Sequence, residues 1–404
     1  MKSEKLAIEG GTPVRQKPLP PRRIFGKSEL EMVKSVFENS WKTGVDFGFQ
    51  GEFEERFTKD FCRFQGQEGF ADAVCSGGAA VYVALKALDI KPGSDVIVSP
   101  VTNPGGIMPI AVQDVKLIIP DSNPNTFNIS PEEFEKAITP QTSAAVLTHL
   151  GGNPIDMDPI LEVAKSKGIK IVEDCAQAHG ALYKGRKVGT FTEIAAFSNG
   201  FSKTLAAGGV AGIVYTKKEE LYWKVRSLAD RGKPFNKKNF DFRNTTDWLF
   251  PSHNFNSDEI SCAIGTSVLP KLQNIIDKRH EIAKKIDSVL KESKVVSPAN
   301  LELPNCSSSV FFHTVAVNID KLKVSKVKFT SALAAEGIAI NGDFRDITCE
   351  WKWIPKHIRE YKKTPNALNF RDRSFNILFH EQYGDKEIQD IIASIRKVEK
   401  FYTK

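Results

Sequence analysis

The chain has 404 residues, 41% of them hydrophobic and 26% charged, with a formal net charge of +7. That length is ample for a large core and two domains, and no run of about 18 apolar residues occurs, which excludes a spanning helix. The basic residues are dispersed among acids apart from small clusters such as "DKLKVSKVK". With neither an aromatic–basic RNA-binding signature nor a zinc-finger spacing, the charge reads as solvated surface, or as a field that attracts a small anionic substrate, and nucleic acid is not an expected partner.

In chain order, the start "MKSEKLAIEGGTPVRQKPLP" has no apolar core of the kind a signal peptide needs. Cys62, Cys75, Cys175, Cys262, Cys306 and Cys349 are scattered without a C-x-x-C pair. This suits reduced thiols in a cytoplasm and predicts neither a disulfide framework nor a metal site. In "AVCSGGAAVYVALKAL" a short apolar run leads to Ser76, Gly77, Gly78 and Ala79, and a helix opens at about Ala80. Small residues at a helix start leave N–H groups open to an anion, so this is a candidate phosphate seat, and it lacks the lysine of a nucleoside triphosphate loop.

From about 70 to 216 strand-like runs alternate with helical patterns, the sign of an α/β architecture with a largely parallel sheet. The strand candidates are "DVIVSP", "VKLIIPD", "AAVLTHL", "KIVEDC", "IAAFS" and "AGIVYT". "SPEEFEKAI" predicts a helix capped by Ser130, with Pro131 in its first turn and Glu133 closing a capping box. "DPILEVAKSKG" predicts another, with Asp158 as its cap and Gly168 just past its end. Further helices are expected over "SDEISCAIGTSVL", "IIDKRHEIAKKIDSVLKES" and "DKEIQDIIASIRKVEKF". The texture changes after about 290, and a boundary near 275 divides the chain into 1–275, a large α/β domain with an N-terminal arm, and 276–404, a smaller C-terminal α+β domain.

Three features of the first part converge. The strand "KIVEDC" ends in Glu173–Asp174, where open parallel sheets bind ligands, with Gln177 and His179 just beyond. Ser198 ends another strand, and Lys203 follows among small residues. A phosphate seat, a strand-end aspartate and a lysine about 30 residues later are the parts that a pyridoxal phosphate (PLP) enzyme needs. The lysine amine condenses with the cofactor aldehyde, and the aspartate keeps the pyridine nitrogen protonated. His149 either faces a substrate or caps the sheet, and His179 has the same two readings. Trp351 and Trp353 in "CEWKWIPKHI" either line the pocket or pack their loop.

From "LAIEGGTPVR" to the last helix the chain resembles the DegT/DnrJ/EryC1/StrS family of PLP-dependent sugar aminotransferases. "SGGAAVYVALKAL" is similar to the family's phosphate-binding helix. "HLGGNPIDMD" with "EDCAQAHGA", and "FSNGFSKTLAAGG" with a serine five before the lysine, match two further family segments. The resemblance implies fold type I, the aspartate aminotransferase-like fold, with a mostly parallel seven-stranded sheet. It also implies Lys203 as the catalytic amine and proton shuttle, Asp174 at the pyridine nitrogen and Gln177 against the ring. Gly78, Ala79 and Ser198 would bind the phosphate. Through "HNFNSDEISCAIG", Asn254 would reach the phosphate of the second subunit in a homodimer with shared sites.

The expected reaction moves an amino group, from glutamate as donor, to a nucleotide-linked keto sugar, for surface polysaccharide or secondary-metabolite biosynthesis. A free keto-cyclitol as acceptor, a sugar dehydratase and a PLP-binding regulator are the other readings. Family dehydratases carry histidine where this chain has Lys203. Three positions depart from the family pattern: Asn103 replaces a cofactor-stacking aromatic, Gly208–Ala211 lacks a glutamate, and Asn256 replaces an arginine.

Overall fold

The computed structural model describes residues 5–66, 68–299 and 301–404; Met1–Glu4, the start of the segment read as free of a leader, lie outside them. Seven strands form one sheet: β1 (Phe70–Val74), β2 (Ser94–Val98), β3 (Val115–Ile118), β4 (Thr142–Thr148), β5 (Lys170–Asp174), β6 (Ile194–Ser198) and β7 (Gly212–Thr216). Their order is β1–β7–β6–β5–β4–β2–β3. β7 runs antiparallel to both its neighbours, and the other pairings are parallel. The α/β, fold type I architecture is therefore present, and all six predicted strands fall in this sheet.

The sheet is buried on both faces, which is why its strands read as continuous apolar runs. Side chains alternate across it. Ile171, Ala195, Phe197 and Ile213 join one core. Val146, Val172, Ala196 and Val214 join the other, together with Ala80, Val83 and Ala84 of the helix α1 (Gly77–Ala87). The same alternation sends Thr148, Asp174 and Ser198, at the carboxyl ends of three strands, toward the face of α1. It sends Glu173 to the opposite face.

Local signals decide the helix ends, with two differences from expectation. Ser130 caps Pro131–Lys136 by accepting from the Glu133 N–H at 3.2 Å. The reciprocal half of the box is replaced, because the Glu133 carboxylate takes Lys136 at 2.8 Å. The next helix starts at Met157, and its cap position is Asp156. Asp158 lies inside the first turn and pairs with Lys184, while the Asp156 carboxylate accepts from the Tyr183 hydroxyl at 2.6 Å. Gly168 ends this helix in the left-handed region, as its position suggested.

The helix α2 (Leu272–Leu290) joins the two parts of the chain. Leu272 and Ile276 pack on the core beneath the large sheet, whereas Ile282, Ala283, Ile286 and Leu290 pack on a C-terminal core. The division expected near 275 thus falls inside a continuous helix. The C-terminal core lies against an antiparallel sheet of β8 (Val296–Pro298), β9 (His313–Val317), β10 (Ile340–Asn341) and β11 (Ser374–Ile377), in the order β8–β9–β11–β10. Leu6 belongs to that same core, and the backbone N–H groups of Ala7 and Val14 donate to the Glu336 carboxylate, each at 2.9 Å. The N-terminal arm is therefore fastened to the C-terminal unit. No helix among the described residues is long and apolar enough to cross a membrane.

Candidate active site

At the carboxyl ends of the central strands lies a cavity of about 110 Å³, lined among others by Gly77, Gly78, Asp174, Gln177, Ser198 and Lys203. Five of the seven residues expected at the site thus meet in one place. Ala79 belongs to the same helix start but donates its N–H to Ser76 Oγ at 3.1 Å, because Ser76 caps α1. The N–H groups that the cap leaves open are those of Gly77 and Gly78. Asn254 does not line the cavity and is exposed. Its Oδ1 accepts from the Asn256 backbone at 3.3 Å and from Asn256 Nδ2 at 2.7 Å. The asparagine that stands in place of the family's arginine thus orients Asn254.

Gly77 permits close approach. A Cβ there would meet Ser198 Cβ at 2.4 Å and Ser198 Cα at 3.0 Å, so any side chain pushes β6 away from the helix start. Overpacking of this kind costs about 1–3 kcal/mol. Gly77→Ala is expected to weaken PLP binding roughly 10- to 100-fold by equilibrium dialysis. An unchanged affinity would show that the seat does not depend on this contact.

Asp174 is sealed in. Its Oδ2 accepts from the Thr148 hydroxyl at 2.9 Å and its Oδ1 from the Ala176 N–H at 3.0 Å. Gly106 leaves room for it, since a Cβ there would lie 2.8 Å from Oδ2. Burial pushes the carboxyl above its usual range, against those two donors and the Lys203 charge. A buried carboxylate with two neutral donors is stabilised by a cation that enters the cavity, and a protonated pyridine is such a cation. The opposite polarity stands at the helix start, where N–H groups and the Ser198 hydroxyl suit an anion. The donor set thus fits PLP along its length.

Lys203 follows β6 in an irregular turn and is half-buried. Its Nζ lies 4.8 Å from the centre of the Phe311 ring. Burial pulls its pKa below the ordinary lysine value, against the attraction of Asp174 and Asp346. A depressed lysine holds a larger neutral fraction, the form that attacks a carbonyl and accepts a proton. Gln177 is fixed by the Gly151 N–H, which donates to its Oε1 at 2.8 Å. Asn103, in place of the stacking aromatic, caps the turn Pro104–Gly106 by accepting from the Gly105 N–H at 3.1 Å.

The open questions on the histidines and tryptophans resolve toward structure. His149 is fully buried, with Nε2 3.2 Å from Glu173 Oε2 and Nδ1 accepting from the Ile155 N–H at 3.0 Å. Trp351 and Trp353 lean on the core around α1. Burial pushes the Glu173 carboxyl up, but His149 and the N–H groups of Gly189 and Thr192 hold it below its usual value. His149, Glu173 and Cys175 have ligand atoms within 4.8 Å of one another. The Glu173 oxygens already accept from the N–H groups of Gly189, Phe191 and Thr192, so the group reads as a structural anion nest.

His179 sits between Asn199 Nδ2 and Thr204 Oγ1, 3.4 Å from each. Burial, helped by the Lys203 charge, pulls it from 6.5 down to about 3. Between these values the unfolded chain binds a proton that the folded chain refuses. Stability present above pH 6.5 is therefore lost as the pH falls through this window, by at most about 1.4 kcal/mol per unit. The urea midpoint of His179→Gln is expected to fall less steeply than wild type between pH 7 and pH 5. Equal slopes would remove His179 from this account.

Three residues at the site carried no sequence signal of their own. Asp346 belongs to the segment "GIAINGDFRDI", and its backbone carbonyl accepts from the Thr102 N–H at 3.0 Å. Burial raises its carboxyl, against the Lys203 charge. Phe311 comes from the C-terminal unit and Arg22 from the N-terminal arm, each about a hundred residues or more from Lys203 in sequence.

Comparisons with known proteins identify the family. The spore coat polysaccharide biosynthesis protein SpsC of Bacillus subtilis (strain 168) is 29% identical over 391 residues, which cover 93% of this chain and 96% of that protein. GDP-perosamine synthase of Escherichia coli O157:H7 is 32% identical over 383 residues, again 93% of this chain and 96% of that protein. The X-ray structure of the aminotransferase from Psychrobacter cryohalolentis superposes with a TM-score of 0.86 at 26% identity, covering 95% of this chain and 99% of that one. The pattern of one family matches residues 24–396. The chain therefore belongs to the DegT/DnrJ/EryC1/StrS aminotransferase family and is a PLP-dependent aminotransferase.

Proposed function

We propose that this aminotransferase takes the amino group of L-glutamate and delivers it to a keto sugar carried on a nucleotide, in the cytoplasm, as a homodimer with shared sites. The observation that carries the reading is the cavity that gathers a buried aspartate, a helix start with Ser198 and the depressed Lys203. The 32% identity to GDP-perosamine synthase supports a nucleotide-linked sugar. The net charge of +7 suits an anionic substrate.

In this proposal Gly78 and Ser198 hold the phosphate, with Ala79 completing the capped turn. Asp174 keeps a proton on the ring nitrogen, and Gln177 bears on the ring. The bound cofactor supplies the electron sink that lets a substrate carbon lose a proton. Lys203 Nζ takes that proton and returns it, first for the donor and then for the sugar. Burial, which pulls its pKa below the ordinary lysine value, favours the neutral form that acts as the base, and the charged form that results is the acid for the return step. We retain 1–275 and 276–404 as the working division, with the N-terminal arm fastened to the second unit.

Six unpaired cysteines accord with a reducing compartment. The dimer is supported by large exposed apolar residues such as Trp41, Val45, Phe201 and Val210. Asn254, exposed and oriented by Asn256, then reaches the phosphate of the other subunit. Such a hydrogen bond is worth about 1.5–3 kcal/mol, so removing it should weaken cofactor binding roughly 10- to 150-fold. Asn254→Asp should do worse by repelling the phosphate. When Asn254→Asp is mixed with Lys203→Ala under subunit exchange, heterodimers should recover activity, because one of their two sites has both residues intact. No recovery in heterodimers proven by mass spectrometry would reject the shared site.

The acceptor is tested by challenging the isolated pyridoxamine form with a panel of keto sugars, nucleotide-linked and free. Amination confined to nucleotide-linked sugars supports the proposal. Amination of free rings alone would replace it with the cyclitol reading, and loss of water without amination with the dehydratase reading.

A further inference from the structure

We propose that Glu381 is a positioning residue of the active site: by bridging Arg22 and Arg279 it holds both the backbone of Lys203 and the aromatic wall that Lys203 faces. The turn around Lys203 belongs to no helix or strand, so no regular backbone ladder takes up its carbonyls. Its outward carbonyls are taken instead by one guanidinium. Arg22 Nη1 donates to the Lys203 carbonyl at 2.7 Å and Arg22 Nη2 to the Thr204 carbonyl at 3.4 Å. Arg22 Nε donates to Glu381 Oε1 at 2.9 Å. The other oxygen, Glu381 Oε2, accepts from Arg279 Nε at 3.1 Å. Arg279 Nη1 in turn donates to the carbonyls of Val310 at 3.1 Å and Phe311 at 3.2 Å. The Phe311 ring is the one that Lys203 Nζ faces.

The bridge has the features of a device that fixes geometry. All three side chains are shielded: those of Arg279 and Glu381 are 3% and 8% exposed, and that of Arg22 is 14% exposed. Burial pushes the Glu381 carboxyl up, but the two arginines hold it below its usual value. Arginine forks impose direction as well as attraction, and each here has one edge on the carboxylate and another on backbone carbonyls. The three residues also come from three places: the N-terminal arm, the helix α2 and the segment after β11. The arm is itself pinned beside Glu381, since Gln382 Nε2 donates to the Arg23 carbonyl at 2.7 Å. Neutralising Glu381 would leave two buried guanidinium groups facing each other without their counter-charge, and both supports of Lys203 would loosen together.

The inference rests on Lys203 being the reactive amine. The test uses PLP-loaded Arg22→Ala, Glu381→Gln and the double variant beside wild type and Lys203→Ala. Two quantities are read: the pH midpoint of the visible band of the bound cofactor, and the first-turnover rate with an amino acid that bleaches the wild-type band. Each single variant is expected to move the midpoint by about half a unit or more and to slow first turnover by about 10- to 100-fold, with the donor KM changed far less. The double variant is expected to be no slower than the slower single variant, because both act along one chain of contacts. Should Glu381→Gln fail to fold, Arg22→Ala, which leaves the Glu381–Arg279 pair in place, decides alone. An unmoved midpoint with rates within about twofold of wild type, or losses that multiply fully in the double variant, overturns the positioning role. Failure of the underlying reading shows separately, as a Lys203→Ala protein that keeps the wild-type visible band.

Discussion

Lys203→Ala is expected to abolish turnover, by about 10⁴-fold or more, while the protein still folds and binds PLP without attaching it covalently. The loss has two parts. In the proposed roles, the amine that the cofactor aldehyde condenses with is gone, and so is the group that moves the proton between substrate carbon and cofactor. The fold should survive because Lys203 is half-buried in a turn of small residues and belongs to none of the apolar cores. Its backbone carbonyl, which Arg22 holds, remains. Mass spectrometry after borohydride treatment and a thermal melt check both parts. Near-wild-type turnover, or covalent capture at another lysine, would overturn the assignment.

Asp174→Asn is the second large effect. The substitution keeps size and the Thr148 and Ala176 contacts in outline, but removes the charge proposed to stabilise a protonated ring nitrogen. Asp174 is 2% exposed, so little solvent is present to compensate. The first half-reaction should slow by roughly two to four orders of magnitude while PLP still binds. Stopped-flow absorbance with excess donor measures this. A rate within about threefold of wild type would mean that Asp174 serves only to close the end of β5.

The positions that could be read from the sequence share one property: their chemistry is local to a strand end or a helix start. Asp174 and Ser198 stand where parallel strands stop, Ser76 and the two glycines where α1 begins, and burial of the sheet on both faces turned each strand into an apolar run. Lys203 was visible because a long cation stood among small residues. What escaped was the part of the site assembled across the chain. Arg22 and Lys203 are 181 positions apart, and no local pattern announces their contact. Glu381 and Arg279, 102 apart, are equally silent.

Side chains with two uses also misled the reading. Asp158 looks like a helix cap, yet Lys184 pairs with it and the cap position is two residues earlier, at Asp156. Ala79 looks like an open donor, yet Ser76 folds back onto it. Glu173 and Asp174 are adjacent acids with opposite fates, one spent on backbone N–H groups and one left facing the cavity, because a strand turns successive side chains to opposite faces.

The visible spectrum of the PLP-loaded protein, followed through one whole catalytic cycle, tests the central claim most directly. Adding L-glutamate should bleach the band as the amino group passes to the cofactor. Adding a nucleotide-linked keto sugar to the isolated bleached protein should restore the band, with one aminated sugar formed for each site. A band that no amino donor bleaches, or a bleached protein that no keto sugar restores, would contradict the account.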